Sequence, residues 1–208
     1  MPSHPSGSPA PVRKDRNMRT PAFLQTRVER LEHARDVGAI IAILADRSDK
    51  AYERAHAAKA LADLAGGLGD FREHAVAILL QATDEPSEVR KWALLALAEL
   101  HEPTALPAFR RAAQDRDWMI RTFAAHGFDR LRSHDSLAEV VGLLADRESG
   151  VREAAAAALA SIGDGRVRPL LERAAVTDPY PWVREAARDA LVALGVSGRS
   201  PGAQSPRR

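Results

Sequence analysis

Five arginines, Arg54, Arg90, Arg121, Arg152 and Arg184, are each followed by Ala three residues later, a large apolar residue seven later and Leu or Ile ten later. They stand 36, 31, 31 and 32 residues apart, a period that marks stacked helical repeats and not one folded globule. The periodicity predicts an all-α solenoid. It leaves the function open, because a solenoid makes an extended surface and the side chains on that surface choose the ligand.

Each unit reads as a helix, a short turn and a second helix. The second helices are expected over residues 56–64, 89–100, 120–131, 151–162 and 183–194, and the first over 37–45, 71–82, 105–113, 136–145 and 166–175. Within 89–100, Val89, Ala93, Ala96, Leu97 and Leu100 fall on one helical stripe, and small Ala beside large Leu lets neighbouring helices approach to about 8–10 Å. Ser136 with Glu139 reads as a capping box, and Pro103, Pro107 and Pro169 suit a first helical turn or its approach. Residues 20–34 predict one more amphipathic helix that caps the open N-terminal end.

The stretches EPTALPAFRRAAQDRDWMIRTFAAHGFDRL and DGRVRPLLERAAVTDPYPWVREAARDALVALG resemble the short HEAT repeats of the phycobilin-lyase-subunit type. The resemblance covers residues 36 to 195 and implies a right-handed α-solenoid of about five repeats. In that family an Asp precedes the Arg by six residues, a position matched by Asp84 with Arg90, Asp115 with Arg121, Asp146 with Arg152 and Asp178 with Arg184. The resemblance implies that these residues bridge adjacent repeats as a structural ladder, in which a carboxylate offsets the desolvation of a partly buried guanidinium. The first unit departs from the pattern, with Ser48 at the Asp position and Glu53 where Val is expected, so Arg54 is expected to pair elsewhere.

No arrangement of polar residues reads as a catalytic site. Ser133, His134 and Asp135 are adjacent, whereas a nucleophilic triad converges from separate segments, and helix capping explains them better. His101 and Glu102 are followed by Pro103, with no His at position 105, so a zinc-protease motif is missing. Gly66, Gly67 and Gly69 follow a helix and not a strand, which reads as a helix-ending turn. Zero cysteines exclude disulfides and thiolate chemistry. Neither a cofactor nor a metal is expected.

The second helices vary most two residues after the arginine, where His56, Trp92 and Phe123 give way to Ala154 and Ala186. In HEAT solenoids the second helices line the concave surface, so the resemblance places His56, Lys59, Lys91, Trp92, Leu95, Phe123 and His126 along one strip there. These residues read either as the centre of a groove for a peptide or helix, with aromatic anchors, or as filler between repeats. Charge along the strip is graded, from Lys59 and Lys91 to Glu153, Glu185 and Asp189. Trp118, Trp182 and Tyr180, near the starts of second helices, read as packing for the turns.

The basic charge lies outside the repeats. Residues 1–19 and 196–208 each carry a net +3, which against the chain's net +2 leaves residues 20–195 near −4. Rich in Pro, Ser and Gly, the two ends read as disordered basic tails flanking one solenoid domain. The leading functional expectation is a non-enzymatic scaffold for a protein partner. Alternatives are a lyase-like or chaperone-like subunit handling a pigment or other small molecule, and a weak nucleic-acid binder, which the acidic core disfavours. No apolar run of about 18 residues and no apolar signal core is present, so a cytoplasmic, non-membrane protein is expected.

Overall fold

A computed structural model describes residues 26–85 and 87–197. Among them are eleven α-helices: α1 (Arg27–Ala34), α2 (Val37–Ala45), α3 (Ala51–Asp63), α4 (Arg72–Ala82), α5 (Ser87–Glu99), α6 (Leu106–Ala112), α7 (Trp118–Leu131), α8 (Leu137–Leu143), α9 (Ser149–Ile162), α10 (Arg168–Thr177) and α11 (Pro181–Ser197). No strand occurs among the described residues. The expected N-terminal tail lies outside the described residues. Of the expected C-terminal tail, residues 196 and 197 continue α11 and the remainder lies outside.

The helices form five pairs, and α1 packs against α2 and α3 with Val28 buried. Thr26 caps α1 through a reciprocal capping box with Glu29, which satisfies two otherwise unpaired backbone donors. The capping box expected at Ser136 and Glu139 does not form. Ser136 Oγ instead donates to the Ser133 carbonyl at 2.7 Å, and Glu139 pairs with Arg110 at 2.8 Å. Pro107 and Pro169 do sit in the first turns of α6 and α10.

Consecutive second helices (α3, α5, α7, α9, α11) pack directly on one another, whereas consecutive first helices beyond α4 make little mutual contact. The closer layer is the inner one, so the second helices line the concave side. Their close approach follows from the buried alanines three residues after each arginine, Ala57, Ala93, Ala124, Ala155 and Ala187. At one joint even Ala is too large. A Cβ on Gly127 would lie 2.4 Å from the ring of buried Phe109, so this glycine admits the α6 phenyl ring onto α7, where the equivalent positions hold Ala60, Ala96, Ala158 and Ala190.

The arginines tie the units together. Arg121 binds both carboxylate oxygens of Asp146 in the next unit, at 2.6 and 2.8 Å, and donates to the carbonyls of Asp115 and Arg116 at 2.8 and 3.1 Å. Arg152 repeats this with Asp178 at 2.7 and 3.0 Å and with the Asp146 and Arg147 carbonyls. Arg90 reaches Asp115 through one nitrogen at 2.7 Å. Arg184 binds only the carbonyls of Asp178 and Pro179. Each aspartate therefore serves the arginine of the preceding unit, while the arginine of its own unit holds its backbone.

Asp84 does not occupy the position expected of it. It turns outward to Arg111 at 3.1 Å and is largely exposed. The partner of Arg54 is Glu85, whose Oε1 accepts from Nη2 at 2.7 Å and whose Oε2 pairs with Nη1, while Arg54 Nε donates to the Leu44 carbonyl. Glu85 stands one residue nearer Arg90 than the aspartates of the later units stand to theirs, and its extra methylene spans the gap. The hydrogen bonds from Arg54, with the charge behind them, hold the Glu85 carboxyl below the ordinary carboxylate range against the opposing effect of burial.

Candidate functional site

The residues expected to line a groove are largely engaged with one another. Trp92 and Phe123 are half-buried against the core, as is Leu95, and the two rings meet at 6.1 Å between centroids with a 42° tilt. Lys59 Nζ lies 6.0 Å from the Trp92 ring centre, within the range of a cation–π contact, and also pairs with Asp63. His126 Nε2 donates to Glu99 at 2.9 Å, and Arg130 donates to the same carboxylate at 3.0 Å. Burial pushes the Glu99 carboxyl up, but these hydrogen bonds outweigh it and leave the group below its usual range.

Lys91 stands apart from that cluster. Its ammonium is held between Glu88 and Asp117, 3.0 Å from each, so it links α5 to the cap of α7 and its pKa is raised above the ordinary lysine value. His56 is exposed, donates from Nδ1 to the Tyr52 carbonyl at 2.9 Å, and meets the Tyr52 ring edge-on at 5.6 Å. The structure thus joins Lys59, Trp92 and Phe123, and separately His126 with Glu99, and leaves His56 and Lys91 outside both groups.

The open part of the concave surface lies further along. A groove of about 610 Å³ runs between α7, α9 and α11. Its floor is small side chains, chiefly Ala154, Ala157, Ala160 and Ala186, and its walls carry Asp129, Glu153 and Asp189. Ser161 donates to Asp129 across the floor. Among the described residues neither Glu153 nor Asp189 has a cationic partner. Where Trp92 and Phe123 fill the surface of earlier units, Ala154 and Ala186 at the equivalent positions leave it empty.

Trp182 packs on Tyr180 in the turn before α11, ring centres 4.8 Å apart, and Tyr180 lies 5.7 Å from the Arg152 guanidinium, while Trp118 makes less of its turn. Both indoles are about half exposed, at 47% and 46%, with Tyr180 at 43%. Trp118 lies against Gly150, whose Cβ, if it had one, would be 3.8 Å from the indole, and Gly150 is itself part of the groove wall. Sequence reasoning noted the charges of this region but not the groove, whose only signal was the repeated absence of a large side chain.

A family model for HEAT repeats matches residues 73–147 and 114–192. The chain belongs to the HEAT-repeat family. Among solved structures, a designed armadillo repeat protein in complex with the peptide (KR)4 is 21% identical, with a TM-score of 0.65, covering 80% of this chain and 85% of that one. The complex of CpcE and CpcF of phycocyanin lyase from Nostoc sp. PCC7120 is 22% identical, with a TM-score of 0.66 over 91% of this chain and 70% of that one. Human deoxyhypusine hydroxylase in complex with glycerol is 18% identical, with a TM-score of 0.50 over 81% of this HEAT-repeat chain and 77% of that one. No curated protein matches the sequence.

These likenesses establish the repeat-solenoid fold. Among the described residues no three His, Asp or Glu side chains are grouped so as to hold a metal ion, and no helix is long and apolar enough to cross a membrane.

Proposed function

We propose that this HEAT-repeat protein is a non-enzymatic scaffold that captures a segment of another protein on its concave surface, in the groove between α7, α9 and α11. The observation that carries the reading is the groove itself, an alanine-floored channel along the inner helices that no side chain of the described chain fills. Channels of this size accept a peptide or the face of a helix. The similar designed armadillo protein, in complex with a peptide, lends support to a peptide as occupant. Phosphate backbones are poor candidates, since unpaired carboxylates line the walls.

Affinity capture from native lysate tests the reading, comparing the wild type with Ala157→Trp, which plugs the exposed floor. Both proteins should melt at the same temperature. A protein captured by the wild type and lost from the variant supports the groove, and identical captures move the binding surface elsewhere.

A further inference from the structure

The groove's lining specifies the chemistry of its occupant, and this step rests on the scaffold reading above. On α7, Trp118, Thr122 and Asp129 share one face, and on α11 so do Trp182, Ala186 and Asp189, with Asp189 about one turn earlier in its repeat than Asp129, because residues three, four and seven apart lie on one side of a helix. Between them α9 presents Gly150 beside Trp118, then Glu153, then the alanine floor. The half-exposed Trp118 therefore stands beside the groove where α7 begins, Trp182 stacks on Tyr180 at the start of α11 with ring centres 4.8 Å apart, and three carboxylates line the groove itself. Of these, Glu153 and Asp189 are unpaired among the described residues, and Asp129 accepts only from Ser161.

We infer that the groove binds a basic segment of a partner protein, one bearing Lys or Arg at intervals along an extended or helical stretch. Three features select for cations. Carboxylates beside a low-dielectric wall attract them more strongly than carboxylates in open water. Indole faces hold a guanidinium or ammonium by cation–π contact and cover its aliphatic stem. The alanine floor has room for the stems, and the hydroxyls beside it, Thr122 and Ser161, already donate to the Trp118 carbonyl and Asp129. Three helices about 10 Å apart span roughly 20 Å, which about six extended residues cross.

The test uses the full chain and a fluorescein-labelled octapeptide of alternating arginine and serine, read by fluorescence anisotropy, with an octapeptide of alternating glutamate and serine as control. The wild type should bind the arginine peptide, lose affinity as salt rises from 50 to 300 mM, and ignore the glutamate peptide. The variant E153Q/D189N, altered only at exposed positions, should bind at least tenfold more weakly at low salt, and Trp118→Ala with Trp182→Ala should weaken binding a further severalfold while leaving the melting temperature near that of the wild type. Equal affinity in wild type and E153Q/D189N overturns the proposal.

The scaffold reading fails separately. A captured partner lost from Ala157→Trp but retained by E153Q/D189N keeps the groove and removes the basic occupant. The chain's own Arg199, Arg207 and Arg208 lie beyond the end of α11, so a variant with all three changed to Ser is measured as well. It should bind the probe as the wild type does. Binding seen only after their removal shows the groove filled by this chain's own arginines and overturns the assignment to a separate partner.

Discussion

Two residues past the repeat's arginine, the N-terminal units place His56, Trp92 and Phe123 and the C-terminal units Ala154 and Ala186. In the first region the rings close the inner surface: Trp92 and Phe123 stack obliquely and Lys59 covers the indole. In the second the same position leaves a groove of about 610 Å³. The ladder does not follow that division. Arg54, Arg121 and Arg152 each hold a carboxylate with two nitrogens, while Arg90 uses one. The contrast shows that one backbone repeat carries two independent instructions, one for stacking and one for surface shape, and that they sit two residues apart.

Removing the stronger rung should do the most damage. Arg121 and Asp146 have side chains only 8% and 11% exposed, so Arg121→Ala strands a carboxylate and should cost about 3 kcal/mol in urea unfolding. Trp92→Ala comes next, at about 2 kcal/mol for a partly buried indole. A loss under half of that would mean the ring is less a packing element than its contacts with Phe123 suggest. Arg90→Ala, which loses one carboxylate contact and one carbonyl contact at a partly exposed position, should cost about 1 kcal/mol, and equality with Arg121→Ala would erase the distinction between the one-nitrogen and two-nitrogen rungs.

Acid should weaken both regions. The hydrogen bonds from Arg152 chiefly, and from Arg121 against the upward pull of burial, keep Asp178 and Asp146 below the ordinary range, as Arg54 does for Glu85. A carboxyl whose pKa is lower folded than unfolded contributes stability above its unfolded value, near 4, and loses it as pH falls through the folded value. The melting temperature should therefore be flat between pH 7 and 5 and fall progressively below pH 4. The smallest effect is expected from Ala154→Phe, within about 0.5 kcal/mol, since its ring enters open space. That variant should nonetheless lose the partner, which separates shape from stability.

Much of the fold was legible because its determinants are local. The offsets of Ala, Leu and Ile from each arginine located all five second helices, and VGAIIAILA gave α2 with its observed bounds. The starts were less visible. α3 begins at Ala51 and α7 at Trp118, before the apolar stripe, because first turns such as that capped by Asp117 are set by backbone hydrogen bonds and not by burial. Glu85 taking the place expected of Asp84 depended on side-chain reach, which spacing alone does not encode. The groove was the least legible part. Ala154, Ala157 and Ala186 look like any core alanine in sequence, and only the relation of three helices shows that nothing covers them, whereas the rings of Trp92 and Phe123 advertise themselves and are already satisfied.

Arg184 gives the ladder a direction. It grips the carbonyls of its own turn as the earlier arginines do, yet among the described residues no carboxylate stands ahead of it to complete the rung. The last three units thus each present an aspartate backward and an arginine forward, like a plug and socket. A duplicated copy of residues 153–184 placed after Arg184 would find both connections ready made, and its own alanine at the second position would extend the channel by about one helix spacing, near 10 Å. Growth by gene-segment duplication would lengthen the binding surface of such a protein without any new solution to the problem of stacking.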